Sequence, residues 1–147
     1  MAESAAALVE RMYDCFNSGD LDALRNEVFA QDVVCRVPGW HPLGRVYHGI
    51  DELLALFRQA TAGHETDHKT IDTFGNDAAI ELRRSHEQTE VATVDVLNCT
   101  MYRIKDGRIA EIHVFVSNQY AQNTFFWATS NHAPVPARLG TVDAYSE

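Results

Sequence analysis

The stretch Val91–Trp127, with the sequence VATVDVLNCTMYRIKDGRIAEIHVFVSNQYAQNTFFW, decides the fold of this chain. It contains two runs rich in Val, Ile, Thr and Tyr, Ala92–Ile104 and Ile109–Val116, which are typical of β-strands. The connection Lys105–Arg108 places Asp-Gly between these runs, and this dipeptide favours a tight hairpin because glycine accepts the positive φ that the turn requires. The sequence therefore predicts a long hairpin as the centre of a β-sheet.

Size, charge and cysteine content narrow the class of protein. The chain has 147 residues, which fits one domain with a sizeable core, and its formal net charge is −9. This excess of acidic residues argues against nucleic acids or anionic membranes as partners, because binding to either draws on clustered Lys and Arg. The segment MAESAAALVERMYD at the amino terminus lacks the basic start of a secretory signal. Cys15, Cys35 and Cys99 have no zinc-type spacing, so we expect free thiols in a reducing, cytoplasmic compartment.

The rest of the chain predicts helices and strands that cover the hairpin. Apolar residues recur at helical spacing in Glu3–Asn17, and Gly19 follows as a helix stop. The other predicted elements are helices over Leu21–Val28, Ile50–Ala62 and Asn118–Ala128, strands over Asp32–Val37, Asp67–Phe74 and Ala78–Glu87, and a loop over Gly39–Gly49. This order predicts a single α+β domain over residues 1–128, with a curved, mostly antiparallel sheet wrapped around the N-terminal helices and a conical cavity inside. Residues 129–147 lack periodicity, so they are predicted to form an extended tail.

Segments spread over most of the chain resemble one known family. Met12–Arg25 (MYDCFNSGDLDALR), Gly44–Phe57 (GRVYHGIDELLALF) and Tyr102–Ala128 (YRIKDGRIAEIHVFVSNQYAQNTFFWA) together resemble the SnoaL-like polyketide cyclases, and the resemblance extends from about Val9 to Ala128. It implies the ketosteroid-isomerase-like, cone-shaped α+β barrel of the nuclear-transport-factor-2-like superfamily. It leaves the activity open, because this superfamily includes isomerases, cyclases, epoxide hydrolases, dehydratases and binding proteins.

The positions that carry catalytic groups in related families hold other residues here. By the resemblance, three catalytic positions of the ketosteroid isomerases are changed here. Met12 stands in place of a Tyr, Val37 in place of the Asp that acts as the base, and Thr100 in place of a protonated Asp. Ser117 stands where similar cyclases place an acidic Asp after the last strand, and a serine hydroxyl cannot act as a general acid near neutral pH. The resemblance therefore does not imply steroid isomerisation. The usual acid–base cyclisation would lack its general acid, because Ser117 replaces the Asp.

Alternation along the strands sorts the polar residues into two faces. In the first strand of the hairpin, the inward set includes Asn98, Thr100 and Tyr102. In the second strand, the residues predicted to line the cavity are Ala110, Ile112, Val114 and Val116. The opposite, convex face of that strand holds Ile109, Glu111, His113 and Phe115. Because apolar groups on an outer face indicate a partner, His113 and Phe115 are predicted to contact the second subunit of a homodimer.

The strand Ala78–Glu87 offers the most informative polar pair. Its inward set is predicted to be Ile80, Leu82, Arg84 and His86. A buried Arg needs an acid or a ligand anion as partner, and a His has an ordinary pKa of about 6.5, which suits proton transfer. We therefore predict His86 as the proton shuttle, and Arg84 with Asn98 as the groups that polarise the substrate. The alternative is that Arg84 and His86 lie solvated at the open end of the cone and that Asn98 is a satisfied core group.

The predicted substrate-binding residues surround the mouth and the wall of the cavity. Trp40, His41 and Tyr47 could form an aromatic lid, or could instead pack under the C-terminal tail. The remaining predicted residues, from the third helix and the hairpin, are Leu54, Phe57, Thr100, Tyr102 and Ser117. The sequence contains no phosphate loop, nucleophile elbow or metal-type His spacing, so no cofactor and no metal are expected.

The sequence as a whole predicts a cofactor-independent cyclase or isomerase of natural-product biosynthesis. Its substrate would be an apolar polyketide- or terpenoid-like molecule held in a reactive fold inside the cavity. One alternative is a small-molecule binding protein without catalysis, because the acidic groups of the family are missing. A further alternative is an epoxide hydrolase or epoxide-opening cyclase, which needs buried carboxylates beside a water. Glu81 and Asp95 are predicted to face outward, so this alternative ranks lower, and an inward carboxylate would favour it.

Overall fold

The secondary structure is built around one six-stranded sheet. The computed structural model of the chain describes residues 3–60, 65–74 and 77–129. The helices are α1 (Ala5–Ser18), α2 (Leu21–Ala23, continued by a π-helical turn over Leu24–Val28), α3 (Gly49–Ala60) and α4 (Gln119–Thr129). The strands are β1 (Phe29–Val37), β2 (Arg45–His48), β3 (Glu65–Phe74), β4 (Ala78–Gln88), β5 (Thr93–Lys105) and β6 (Arg108–Val116). The sheet is open, with the order β2-β1-β6-β5-β4-β3, and its neighbours are antiparallel except for β1 and β6. The predicted α+β class is confirmed.

The predicted hairpin forms β5 and β6 around a left-handed turn. Asp106 has a φ of 52° and Gly107 a φ of 76°, which is the conformation of a type I′ turn. The register changes close to the turn, since Ile104 pairs with Ile109 whereas Arg103 pairs with Glu111. One extra residue in β6 therefore forms a β-bulge. The bulge turns Ile109 into the core, where it is 0% exposed, so its predicted place on the outer face is wrong.

Helix α1 packs against β3, β4 and β5 on what we call the inner face of the sheet. The helix begins after Ser4, whose Oγ accepts a hydrogen bond from the amide of Ala7 at 3.1 Å, and it ends at Gly19 with a φ of 73°. The buried residues of the helix are Ala5, Leu8, Val9, Met12 and Cys15. Within the described residues, no helix is both long enough and apolar enough to cross a lipid bilayer.

One short strand was not predicted. Gly39–Gly49, predicted as a loop, contains β2, which pairs antiparallel with β1 and places Tyr47 opposite Cys35. Four residues between two glycines give too little pattern to indicate a strand, and here the pairing comes from β1 instead. The predicted tail lies outside the described residues, apart from Thr129 at the end of α4.

Strand β4 presents charged residues to the inner face. In the β4–β5 register, Arg83 pairs with Asn98 and Glu81 pairs with Thr100. Directly paired residues share a face of the sheet, and β5 buries Asn98 and Thr100 as predicted. Glu81 therefore points inward, and its side chain is 1% exposed.

The prediction that Arg84 and His86 face inward is consequently wrong. Both alternate with the buried positions and lie on the outer face, where their side chains are 52% and 42% exposed. Leu82 lies on the same face and is 46% exposed. The prediction assumed that the more apolar set of an alternating strand is buried, but this strand buries its more polar set because the interior holds polar partners for it.

We expect Gly107→Ala to lower the free energy of unfolding by about 1–2 kcal/mol, because a Cβ is strained at left-handed φ. An added Cβ at Gly107 meets nothing within 4 Å, so the strain accounts for the effect. Asp106→Asn serves as the control, with an expected change below about 0.5 kcal/mol, since Asn tolerates the same φ. Urea denaturation followed by circular dichroism measures both values, and an equal loss in the two variants would contradict this account of the turn.

Candidate functional site

A cavity of about 540 Å³ lies between α1 and the inner face of the sheet. This volume falls within the range of small-molecule sites. Much of its wall is apolar and includes Met12, Phe16, Leu56, Phe57, Ile112 and Val114. The polar residues of the wall come mainly from α1, β4 and β5, so one side of the cavity is apolar and the other carries hydrogen-bonding groups.

Four polar residues meet where α1 crosses the sheet, and we call them the Tyr13 cluster: Tyr13, Glu81, Arg83 and Tyr102. The hydroxyl of Tyr13 donates to Glu81 Oε1 at 2.7 Å, and the hydroxyl of Tyr102 donates to the same oxygen at 3.2 Å. The two phenol oxygens are 3.5 Å apart. Arg83 Nη1 donates to the Tyr13 oxygen at 3.2 Å. A carboxylate, a guanidinium and two phenols are thus connected by hydrogen bonds beside the cavity.

Burial sets the protonation of this cluster. It raises the pKa of Tyr13 above its ordinary value; Arg83 opposes this shift and Glu81 adds to it. Burial also raises the pKa of Tyr102, with further contributions from Tyr13 and Glu81. For Arg83, burial lowers the pKa, but the neighbouring Tyr13 and Glu81 raise it by more, so the guanidinium stays charged. At neutral pH both phenols are therefore protonated and can donate hydrogen bonds.

A second polar group continues along the same wall. Asn98 Nδ2 donates to Ser85 Oγ at 2.7 Å, and both residues are buried. Glu87 lies two positions beyond Ser85 on the same face and is 9% exposed. Among the cavity-lining residues that the structure describes, Glu87 supplies the one carboxylate. The wall therefore offers a cation at Arg83 and a carboxylate at Glu87 on one strand.

His41 lines the cavity as predicted, but its ring nitrogens are both used in local structure. The amide of Leu43 donates to Nδ1 at 3.1 Å, so Nε2 carries the proton and donates to the carbonyl of Pro38 at 2.8 Å. The ring stacks on Phe126 with a centroid distance of 4.8 Å. His41 is thus a neutral wall residue that joins the loop after β1 to α4, and it has no ring nitrogen available for proton transfer.

The structure brings together only part of the predicted site. The predicted residues that line the cavity are His41, Phe57, Asn98, Thr100 and Tyr102. Their placement agrees with the prediction, because β5 alternates as expected and α3 turns Phe57 toward the sheet. Their roles in binding stay predictions.

Three other predicted binding residues do not line the cavity. Trp40 is 51% exposed, and its carbonyl accepts a hydrogen bond from Trp127 Nε1 at 2.6 Å. Tyr47 is buried, and its hydroxyl donates a hydrogen bond to the carbonyl of Leu43 at 2.7 Å. Leu54 is part of the core cluster. These side chains pack within the loop before β2 and within the core beside α3. Of the three residues predicted to form a lid, only His41 therefore lines the cavity.

The remaining predicted residues also lie outside the cavity wall. Ser117 Oγ accepts a hydrogen bond from the amide of Leu97 at 2.9 Å in an exposed position just after β6. On the outer face, Arg84 Nε donates to Asp95 Oδ1 at 2.9 Å, and His86 Nδ1 is 3.9 Å from Asp95 Oδ2. The hydrogen bond from Arg84 lowers the pKa of Asp95. Arg84 therefore has the acidic partner that was predicted for it, but this partner is Asp95 on the exposed face of the sheet.

Sequence reasoning missed Tyr13, Glu81, Arg83 and Glu87. Tyr13 was not among the predicted site residues. Its spacing of three from Phe16, which also lines the cavity, was the available signal, because residues three apart share a helix face. For β4, the signal was the register with β5, since the inward positions of β5 determine those of its partner.

Comparison with known proteins identifies relatives over most of the chain. A family model described as the SnoaL-like domain matches residues 9–112. The uncharacterized protein Rv0034 of Mycobacterium tuberculosis is 32% identical over 127 residues, which cover 82% of this chain and 94% of that protein. The family model therefore covers the chain from within α1 to the middle of β6.

Solved structures share the fold at lower identity. Bal32a, from a soil-derived mobile gene cassette, superposes with a TM-score of 0.75 at 24% identity, over 86% of this chain and 98% of its own. A nuclear-transport-factor-2-like protein of Burkholderia xenovorans gives a TM-score of 0.72 at 17% identity, over 84% and 93%. A candidate polyketide cyclase of Pseudomonas putida gives 0.62 at 16% identity, over 83% and 98%. The resemblance noted in the sequence is confirmed for the SnoaL-like family, and the solved structures share the fold.

We expect the raised pKa values of Tyr13 and Tyr102 to appear as a dependence of stability on pH. Unfolded phenols ionise near pH 10, whereas these two stay protonated in the fold, so the stabilisation is complete below about pH 10 and is lost as the pH rises toward their folded pKa. Tyr13→Phe should reduce the fall of the unfolding free energy above pH 10 by up to about 1.4 kcal/mol per pH unit. Urea denaturation at several pH values measures this slope, and an unchanged slope would contradict the assignment.

Proposed function

Because this chain belongs to the SnoaL-like domain family, we propose that it is an enzyme that cyclises or isomerises a small carbonyl compound with a largely apolar skeleton. The observation that carries the proposal is the Tyr13 cluster, three members of which line a cavity whose other side is apolar. The shared fold of the candidate polyketide cyclase of Pseudomonas putida supports a polyketide-like substrate, with a terpenoid-like one as the alternative. The proposal places the protein in natural-product biosynthesis, with its own side chains as the catalysts and no cofactor.

The proposed chemistry begins at the substrate carbonyl. Its oxygen approaches Arg83 and the phenols of Tyr13 and Tyr102, which are protonated at neutral pH. Each phenol has one O–H, which donates to Glu81 in the free protein, so a phenol donates to the substrate oxygen by turning this O–H away from Glu81. Donors at the position where an oxyanion develops stabilise it, and the loss of one typically lowers kcat by about 10²–10³-fold.

Glu87 is the proposed base. It lies on the same face of β4 as Arg83, and both side chains reach the same cavity. In the proposed step, the Glu87 carboxylate takes a proton from the carbon next to the carbonyl, and the electron pair of the broken C–H bond moves onto the carbonyl oxygen. The resulting enolate carbon either attacks a second carbonyl of the same molecule, which closes a ring, or regains a proton at another carbon, which isomerises a double bond.

The apolar wall supplies the second half of the proposed catalysis. Holding a flexible molecule with its reacting carbons together can contribute about 7–11 kcal/mol in well-oriented systems. Phe16 and Phe57 stand edge to face with centroids 4.7 Å apart, and Phe57 stacks on Phe29 at 6.1 Å. Such interlocked rings form a rigid surface against which the substrate chain folds.

Epoxide opening is a second candidate, because the structure has the inward carboxylates that this chemistry requires. Glu81 is 1% exposed, and its Oε2 has no hydrogen-bond partner among the described residues. In this step a water gives a proton to the Glu87 carboxylate as its oxygen attacks an epoxide carbon, the C–O bond of the epoxide breaks, and the Tyr13 hydroxyl protonates the released oxygen. The proton on Glu87 then returns to Tyr13. The product would be a diol, or a cyclic ether where a substrate hydroxyl replaces the water.

We also propose a cytoplasmic homodimer formed through the outer face of the sheet. Phe115 and Leu97 on this face are 57% and 45% exposed, and His113 lies beside them. The Nε2 of His113 is 3.2 Å from Arg36 Nη1 and 3.5 Å from Glu111 Oε2. Apolar side chains flanked by such paired polar groups suit a contact between two copies of one surface. The free thiols of all three cysteines support a reducing compartment.

We expect the protein to catalyse deuterium exchange at the carbons next to the carbonyl of 4-phenylbutan-2-one, followed by proton NMR in D₂O. Arg83→Met and Tyr13→Phe should each lower the exchange rate by about 10²-fold or more, because each removes an oxyanion donor. Glu87→Gln should lower it further by removing the base. Arg84→Met is the matched control, since it changes the neighbouring arginine on the outer face and should leave the rate unchanged.

The outcomes separate the candidate functions. Equal loss in Arg83→Met and Arg84→Met would contradict the proposed site. Binding of the ketone without any exchange would favour the alternative of a binding protein without catalysis. Formation of a diol from 1-phenylpropylene oxide, with ¹⁸O incorporated from labelled water and no ketone exchange, would favour epoxide opening instead.

We expect Phe115→Asp to convert the proposed dimer into a monomer, because it places a charge in the centre of an apolar contact. Tyr120→Asp is the control, since Tyr120 is 82% exposed on α4, which packs through Phe125 against the buried Val94 and Val96. Sedimentation velocity measures both variants. A wild-type monomer at micromolar concentration would rule out the proposed dimer.

A further inference from the structure

The two phenols of the Tyr13 cluster share one carboxylate oxygen. Tyr13 and Tyr102 both donate to Oε1 of Glu81, at 2.7 Å and 3.2 Å. In the part of the chain that the structure describes, Oε2 of Glu81 has no hydrogen-bond partner, so these two O–H groups are the donors that the carboxylate has there. Glu81 is 1% exposed, and bulk water therefore does not replace a donor that leaves.

This sharing limits how many phenols can turn to a substrate. A phenol has one O–H, so it donates either to Glu81 or to the substrate oxygen. If both phenols turned, the buried carboxylate would lose its donors, and this loss costs more than new hydrogen bonds to a neutral carbonyl return. One phenol can therefore turn only while the other stays on Glu81.

The surroundings of the two phenols distinguish their roles. The oxygen of Tyr13 also accepts a hydrogen bond from Arg83 Nη1 at 3.2 Å, so it keeps a charged partner when its O–H turns away from Glu81. Tyr13 is half-buried at the edge of the cavity, whereas Tyr102 on β5 is 4% exposed. When Tyr13 turns, Tyr102 still lies within hydrogen-bond distance of Glu81 Oε1.

We propose that Tyr13 is the phenol that turns to the substrate oxygen and that Tyr102 is a positioning residue, which stays on Glu81. This inference rests on the proposed function, in which the substrate carbonyl lies beside Arg83. Tyr102 then contributes to the reaction without contacting the substrate. It acts through Glu81, because it keeps the buried carboxylate hydrogen-bonded while the O–H of Tyr13 is directed elsewhere.

Deuterium exchange into 4-phenylbutan-2-one tests this division of roles in a double-mutant cycle. Tyr102→Phe removes the donor that stays, so Tyr13 can turn only by leaving Glu81 without a hydrogen bond, and we expect the exchange rate to fall by about 10–10²-fold. Glu81→Gln removes the charge, and a neutral amide oxygen loses much less when a donor leaves it. The loss caused by Tyr102→Phe should therefore shrink to about threefold or less in the Glu81→Gln background.

Tyr47→Phe is the matched control for this cycle. It also removes the hydroxyl of a buried tyrosine, but this hydroxyl donates to the carbonyl of Leu43 and the residue does not line the cavity, so the exchange rate should stay within about twofold. An equal loss from Tyr102→Phe in both backgrounds would overturn the inference, because Tyr102 would then act on the substrate whatever the charge of Glu81. If Glu81→Gln does not fold, as judged by circular dichroism, an NMR titration decides.

This titration reads the two phenols directly and needs no catalysis. Protein labelled with ¹³C at the Cζ of tyrosine gives a signal for each phenol, and the spectra of Tyr13→Phe and Tyr102→Phe assign the two that matter. On addition of 4-phenylbutan-2-one, the Tyr13 signal should move, because its hydrogen bond passes from a carboxylate to a ketone. The Tyr102 signal should move less than half as far. The reverse pattern, or no movement of either signal, would overturn the inference.

The two measurements separate this inference from the proposed function. Movement of the Tyr13 signal alone, without deuterium exchange, would support the division of roles while contradicting the proposed reaction. Deuterium exchange that Tyr102→Phe lowers equally in both backgrounds would support the reaction while contradicting the division.

Discussion

The carboxylate of Glu81 is buried, and the hydrogen bonds that it requires tie the first helix to the sheet. Removing a carboxylate from water costs several kcal/mol unless its oxygens find donors. Here both donors bind one oxygen, Oε1: Tyr13 from α1 at 2.7 Å and Tyr102 from β5 at 3.2 Å. Apolar packing holds α1 against the sheet, but it allows the helix to slide or rotate by small amounts. The polar contacts specify one position, and that position leaves the cavity open beside them.

Local signals were sufficient for most of the architecture. Asp106-Gly107 predicted the turn that the structure shows with two positive φ angles, and Gly19 marked the end of α1. The inward set of β5 was also predictable, because its long alternating pattern ends at a turn of known geometry. Asn98, Thr100 and Tyr102 were therefore placed correctly. Features that depend on a partner strand were not: β2 is too short to stand out, and the bulge that buries Ile109 is a property of the paired strands.

The largest error, on β4, has the same physical origin. An alternating strand offers two faces, and its own sequence distinguishes them only if one face is plainly apolar. In β4 the face with Leu82 looks more suitable for burial than the face with Glu81 and Arg83. A protein interior that contains a polar cavity reverses this preference, because charged groups can be buried where they have partners. The choice was available only from the register with β5, which a single sequence does not display.

This division of β4 separates two kinds of change during evolution. Its 11 residues alternate between an inward set, of which Arg83, Ser85 and Glu87 contact the cavity, and an outward set that includes Arg84. Substitutions in one set can accumulate without changing the other set. Substrate range and external contacts can therefore diversify independently of each other within one lineage. Insertion or deletion of a single residue has no such freedom, because it would exchange the two sets along the rest of the strand.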